Sequence, residues 1–235
     1  MTAHQALRIT ATLSVGIAHA SPWTVALDGL LASEIWHQTK RRQPPTAPAM
    51  EAAYPPDLDL PLARCELDPT WWHWAATCGW PDTRSDDPEI RCWSTRLDQR
   101  HVGQTATRLP QHLSDAKGPW KAFWMPLPVT VTKSLVWHAF GDPEAILELL
   151  EPITAIGKKR SQGEGRVTTW RVEPAPIDDF TAGHLSPAGE LARPCSLACL
   201  RGRPDVADGG AGYAAVRPPH MHPSRRTDVR LPAPI

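Results

Sequence analysis

Eleven residues near the start of the chain, LRITATLSVGI, constrain the fold more than any other stretch. Leu7, Ile9, Ala11, Leu13, Val15 and Ile17 alternate with Arg8, Thr10, Thr12, Ser14 and Gly16. Successive side chains of a strand point to opposite faces, so a period of two over this length predicts a strand with one buried face. A turn, HASPW, separates it from TVALDGLLASEIWHQTK, where Leu27, Leu30, Leu31, Ile35 and Trp36 fall at helical spacing. Gly29 weakens that helix slightly.

The next segments are less regular. Residues 44–61 (PPTAPAMEAAYPPDLDLP) predict a linker or covering loop, and 62–78 a second strand region interrupted near Asp68–Pro69. From about 79 to 118 no period is sustained, which predicts an inserted arm or extended hairpin. Regularity returns in PWKAFWMPLPVTVTKSLVWHAFG, whose second half, VTVTKSLVWHAF, predicts a strand. In GDPEAILELLEPI, Asp142 is placed as an N-cap and Pro143 as the first helical residue. Ile146, Leu149, Leu150 and Ile153 form its apolar stripe, and Pro152 marks its end. A glycine-rich loop and the strand RVTTWRVE follow. The order is strand, helix, strand, insertion, strand, helix, strand. This predicts an α+β protein with a ferredoxin-like, RRM-like β-α-β-β-α-β core over 1–173, a thumb-like arm at about 79–118, and an irregular proline-rich C-terminal extension, 174–235, folded back on the same core. Many unrelated functions share that plan, so it decides none of them.

Composition narrows the class. Twenty-six prolines are about twice the usual ~5 %. They cluster in 44–61, 172–194 and 217–234, where little regular structure is expected. Eleven tryptophans against three phenylalanines and two tyrosines imply well-packed regions elsewhere. The five cysteines (65, 78, 92, 195, 199) are odd in number and unpatterned, so free thiols are expected. No apolar run approaches the ~18 residues of a membrane span, and MTAHQALRIT lacks a signal-peptide pattern, so cytoplasmic residence is the expectation. Formal net charge is zero, yet 153–173 hold five cations (158, 159, 160, 166, 171) against two acids, and 201–230 hold six arginines against three aspartates. Basic segments in loop-like places fit a face for a polyanion, with ordinary solvated charge as the alternative.

The loop itself, IGKKRSQGEGRV (156–167), runs three cations into a turn with glycines at 163 and 165. Glycines let a backbone approach a ligand and turn its N–H groups toward an anion. It is not a phosphate-binding GxxxxGK[ST] loop, and GxGxxG is absent. The run ITAIGKKRSQGEGRVTTWRVE resembles the glycine-rich segment of the RAMP superfamily of CRISPR-associated proteins, RNA-binding proteins with RRM-like folds. The lead-in KAFWMPLPVTVTKSLVWHAFGDPEAILELL and the opening strand with ASPWTVALDGLLASEIW are similar to one subgroup. That subgroup is the Cas-five-class subunit that caps the 5′ handle of the guide RNA in type IV effector complexes. The resemblance covers about 7–37 and 119–173, with a weaker echo in YAAVRPPHMHPSRR.

The resemblance implies that Gly157, Lys158, Lys159, Arg160, Ser161, Gln162, Gly163, Gly165 and Arg166 line the guide-RNA path, and that the arm meets a backbone subunit. Glu164 departs from what a polyanion-contacting loop would carry; it either points away or pairs with an arginine. Arg91, Trp93 and Arg96, on the arm, combine charge with a base-stacking aromatic, as does Trp170 before Arg171. Arg225 and Arg226 belong to the basic segment RPPHMHPSRR. The expected partners are guide RNA, the backbone subunit and other effector subunits, with target nucleic acid a further candidate; no membrane, cofactor or metal is assigned. Cys195, Cys199, His220 and His222 have zinc-ligand chemistry, but CxxxC with HxH is not a usual structural spacing. Two rival readings stay open. One is a metal-independent endoribonuclease using His19, just past the first strand, as general acid or base. The other is a structural scaffold without RNA contact.

Overall fold

The computed structural model describes residues 4–42, 54–83, 89–95, 114, 116, 117 and 121–235. Among them, the central sheet has four strands. β1 (Gln5–Leu13) is flanked antiparallel by β8 (Ser134–Gly141) and β9 (Val167–Pro174), and β5 (Trp80–Pro81) pairs with the far edge of β8. The spatial order is β5-β8-β1-β9. With α1 (Leu27–Arg42) between β1 and β5, and α2 (Pro143–Leu150) between β8 and β9, this mixed α+β architecture is compatible with the expected ferredoxin-like core.

The alternation in β1 does what its period implies. Leu7, Ile9 and Ala11 are fully buried and stand beside Ala139, Trp137 and Leu135 of β8 in register. Leu27 and Leu31 of α1 and Ile146 and Leu150 of α2 close this face. Each such side chain contributes about 1.5–3 kcal/mol on burial. Trp137 also donates its indole N–H to the Val25 carbonyl (2.9 Å), fixing the entry to α1. Asp142 caps α2 as expected, its carboxylate accepting from the Glu144 and Ala145 N–H groups at 3.1 and 3.2 Å.

Three elements differ from the sequence expectation. The run VTVTKSLVWHAF is broken at 131–133, so that only its second part, from Ser134 on, belongs to β8. The alternating run is not one strand: β1 ends at Leu13, Val15 is 41 % exposed, and Ile17–Ala18 form a separate strand, β2, on β7 (Phe123–Thr130). Nor is 62–78 the second sheet strand. It folds into a small hairpin, β3 (Arg64–Cys65) on β4 (His73–Trp74), and the chain reaches the β8 edge through the Ala76–Ala139 bridge and β5. The break at Asp68–Pro69 allows this turn; the Asp68 side chain accepts from the N–H groups of Thr70 and Trp71.

Most of the expected arm, 84–88 and 96–113 included, lies outside the described residues. Its base is an antiparallel pair, β6 (Glu89–Thr95) on β7, in a three-stranded sheet of order β2-β7-β6. The segment after β9 contains α3 (Asp179–His184) and the hairpin β10 (Ala211–Ala215) on β11 (Arg226–Arg230). Residue His138 of β8, pointing opposite to Trp137, shares a hydrogen bond with the Leu185 carbonyl just after α3 (3.1 Å). Buried Arg193 donates to the carbonyls of Trp74, Ala76, Val216 and Pro194. Among the described residues, no helix is long and apolar enough to cross a membrane.

Candidate nucleic-acid interface

The loop after α2 is built from backbone turns that its sequence makes possible. Gly157, Gly163 and Gly165 have φ of +81°, +95° and +65°. A side chain at Gly157 would place Cβ 2.6 Å from the Ala18 carbonyl oxygen, and one at Gly165 would place it 1.9 Å from that of Ile156. These two glycines are therefore required by close backbone approach as well as by conformation. Lys159 is also left-handed, at φ +56°, and precedes a 3-10 turn, Arg160–Gln162. An L-residue there costs about 1–2 kcal/mol.

Glycines of this kind were expected to turn N–H groups toward an anion, but the structure uses most of them internally. The N–H of Lys158 donates to Ala18 (2.7 Å), that of Gly165 to Gly16 (3.0 Å), and those of Gln162 and Gly163 to Lys159 and Arg160 (2.9 and 3.1 Å). Ile156 N–H donates back to Gly165 (2.9 Å). The loop is thus pinned to β2 and to the Ser14–Gly16 turn, and its charge, not its amides, is what it offers outward.

That charge has one sign. Lys158, Arg160 and Arg166 are exposed and Lys159 is half-buried. Glu164, the single acid of 157–166, is buried, and its Oε1 accepts from Arg91 Nη1 at 2.8 Å. Arg91 is in turn held by both carboxylate oxygens of Glu89 (2.9 and 3.0 Å). These carboxylates, Glu89 first, raise its pKa above the ordinary value. Loop and arm are therefore fastened by an ion-pair chain, and Arg91 is committed to it. Trp93, half-buried on β6, lies under the Lys159 ammonium (5.7 Å to the ring centre), with Phe123 of β7 at 5.9 Å.

The other nominated residues divide. Arg160 and Gly157 line a cleft of about 620 Å³ together with Arg226, Trp23, Tyr213 and Met221, so Arg226 joins the loop. Its neighbour Arg225 does not: it is buried, ion-paired with Asp57 at 2.8 Å, and donates to the Pro55 carbonyl. Ser161, Gln162 and Gly163 are exposed at the loop tip. Arg96 lies outside the described residues. Trp170 packs against Trp137 (5.7 Å between rings) and donates to the Ile153 carbonyl (2.9 Å), which makes it part of the core instead of a stacking platform.

His19 is buried with both ring nitrogens engaged: Nδ1 lies 2.6 Å from the Ser21 carbonyl and Nε2 2.8 Å from the Thr130 hydroxyl. The four residues weighed for zinc do not converge. Cys195 is buried beside the Arg230 backbone, His220 bonds Asp28 (3.1 Å), His222 bonds Ser224 (2.7 Å), and Cys199 faces His73.

Sequence reasoning did not single out Trp124, which is 70 % exposed on β7, or Phe123 beside it. The pattern FWMPLP does carry a signal: prolines at 126 and 128 sit within the strand, next to aromatics on its exposed half. The sheet face away from the core is a poorer place for bases. Of the β8 residues on that side, Val136 and His138 are buried, His138 bonded to the Leu185 carbonyl just after α3, and Phe140 lies half-buried at the strand end beside His4 (6.5 Å between ring centres).

Among curated proteins, none matches the chain. The family model described as CRISPR type IV associated protein Csf3 matches residues 5–181, which hold the whole four-stranded sheet, the arm and the basic loop. The chain belongs to that family of type IV CRISPR-associated proteins.

Proposed function

We propose that this chain is a non-catalytic guide-RNA-binding subunit of a type IV effector complex, of the RAMP superfamily and the Cas-five class. It grips the 5′ handle of the guide through the 157–166 loop and meets the backbone subunit through its arm. One observation carries the reading: the single acid in the loop is buried against Arg91, so the outward charge of Lys158, Lys159, Arg160 and Arg166 is wholly positive. A pinned backbone with projecting cations suits phosphate positioning, in which side chains fix register on the RNA. Arg226, across the cleft from Arg160, extends the same field. Exposed Trp124 and half-buried Trp93 supply faces for unpaired bases.

The absence of catalysis is part of the proposal. It is supported by the engagement of both His19 nitrogens, which leaves that ring neither a free lone pair nor a free proton in this arrangement.

The test is binding of a 5′-handle RNA oligonucleotide to the wild type and to a Lys158→Ala, Lys159→Ala, Arg160→Ala triple variant, across a salt series. Each phosphate neutralised on a single strand contributes about −0.7 to the slope of log K against log salt. Loss of three cations is expected to flatten the slope by about 2 while leaving the melting temperature unchanged. Equal affinity and slope in the two proteins would overturn the assignment. A discrete cleavage product formed in EDTA and lost in His19→Ala would instead establish the nuclease.

A further inference from the structure

Away from the basic loop, four side chains that no spacing rule connects are brought together. Cys65 ends β3, His73 begins β4, His184 ends α3, and Cys199 sits in the 3-10 turn Leu197–Leu200. Their donor atoms all lie within 4.8 Å of one another. Cys65 Sγ is 3.6 Å from His184 Nε2, and Cys199 Sγ is 3.6 Å from His73 Nε2.

A tetrahedral zinc ion with Zn–S near 2.3 Å and Zn–N near 2.0–2.1 Å places neighbouring sulfur and nitrogen vertices about 3.5 Å apart. The two sulfur–nitrogen spacings of 3.6 Å fall at that value. Both imidazoles are also preset for ligation. His73 Nδ1 lies 2.9 Å from the Trp74 carbonyl and His184 Nδ1 2.9 Å from the Phe180 carbonyl. A carbonyl only accepts, so each Nδ1 carries the proton and each Nε2 turns its lone pair toward the sulfurs. Metal-bound histidines are commonly oriented in this way. The two rings meet edge to face, 4.9 Å between centres.

We propose that Cys65, His73, His184 and Cys199 form a structural zinc site that ties the β3–β4 hairpin to α3 and the segment 197–200. Two thiolates offset the charge of the ion, so a neutral centre is buried among His73, His184 and Cys199, which are each at most 2 % exposed. Four protein ligands complete a tetrahedron, which suits a closed structural site and leaves no position for a substrate. The S₂N₂ donor set selects zinc over oxygen-seeking calcium or magnesium. Cys65 is half-buried at the edge of a cleft lined by Glu66, Asp179 and Arg203, which gives the ion a path in. The ion would bridge positions separated by 119 and 126 residues in the chain, where cross-links restrict the unfolded chain most. His184 and Cys199 lie beyond the residues matched by the family model, so the site joins the matched region to the extension that follows it.

The experiment is metal analysis of the tag-free, full-length protein, purified under reducing conditions from zinc-supplemented cells. One zinc per chain is expected, lost in Cys65→Ser and in Cys199→Ser and kept in Cys92→Ser, whose thiol is exposed on the arm. Cys65→His, which restores a ligand, should retain the ion if loss in the serine variant reflects ligation and not misfolding. Cobalt added to the zinc-free protein should give a thiolate-to-metal charge-transfer band and the strong visible bands of a tetrahedral centre. Zinc removal should lower the melting temperature of the wild type, and zinc addition should restore it. A metal-free chain whose melting is indifferent to zinc would overturn the proposal, leaving a pair of thiol–imidazole hydrogen bonds. A Cys65–Cys199 disulfide in the protein as isolated would overturn it equally.

Discussion

Replacing Arg193 with methionine should remove the main polar tie between the C-terminal segment and the sheet. The side chain is 2 % exposed, and its guanidinium donates to four carbonyls, of Trp74, Ala76, Val216 and Pro194. Its Nη2 also lies 3.5 Å from Asp28 Oδ2, on a carboxylate that is fully buried in α1. Breaking a buried ion pair by removing one partner costs about 3–5 kcal/mol, and each carbonyl left without a donor adds up to about 1–3 kcal/mol. These terms overlap, because methionine fills most of the volume and His220 still faces Asp28 at 3.1 Å. A loss of about 4 kcal/mol is the expected outcome, a large share of the 5–15 kcal/mol typical of a domain. Urea unfolding at neutral pH reads it directly. Combining Arg193→Met with Asp28→Asn should recover more than 1 kcal/mol relative to additivity, since the stranded charge disappears. A loss below 1 kcal/mol, or additive behaviour, would refute the claim that this pair fastens the extension to the core.

Three further outcomes follow from the same geometry. Gly165→Ala should destabilise by more than 2 kcal/mol, since its Cβ would lie 1.9 Å from the Ile156 carbonyl oxygen, whereas Gly163→Ala, with no atom within 4 Å, should cost about 1 kcal/mol; equal losses in denaturant melts would contradict the close approach. Trp124→Ala should leave stability within about 0.5 kcal/mol and weaken handle-RNA binding by about 1–3 kcal/mol, and unchanged binding would remove Trp124 from the interface. Burial alone would raise the Asp28 pKa, but His220 and Arg193 together hold it below the ordinary 3.8. A depressed carboxylate pKa contributes stability that is fully present above the unfolded value and lost as pH falls through the folded one. The stability difference between wild type and Asp28→Asn should therefore be flat above about pH 5 and shrink below pH 3.8; a difference independent of pH down to pH 2 would show that Asp28 is not ionised in the fold.

Local pattern made the core legible, and long-range pairing hid much of the site. Periodicity located β1, α1 and α2, though not α3, because burial of one face dictates residue type at every second or third position, and the Asp142–Pro143 start of α2 is a local hydrogen-bonding device. The 62–78 segment misled because a strand-like composition there serves a hairpin whose strands are two residues each, and the ladder on β8 forms only beyond it, at Trp80–Pro81. The basic loop was visible as charge and glycine. The partner of Glu164 was not, since Arg91 is 73 residues away. Arg225 and Arg226 look alike in sequence, yet one is buried on Asp57 and the other lines the cleft with Arg160. Trp170 and Trp124 each sit beside other strand residues, and only the register shows that the first packs on Trp137. The four thiol and imidazole groups come from three segments, and their spacing in the chain follows from the topology of the whole fold.

The most direct test of the account is recovery of RNA with the protein when it is purified together with the products of its neighbouring genes from cells expressing the repeat array. A discrete, nuclease-protected RNA of guide length is expected, lost when Lys158, Lys159 and Arg160 are replaced by alanine although the complex still assembles. An assembled complex that retains the same RNA with the triple variant, or a wild-type complex free of nucleic acid, would contradict it.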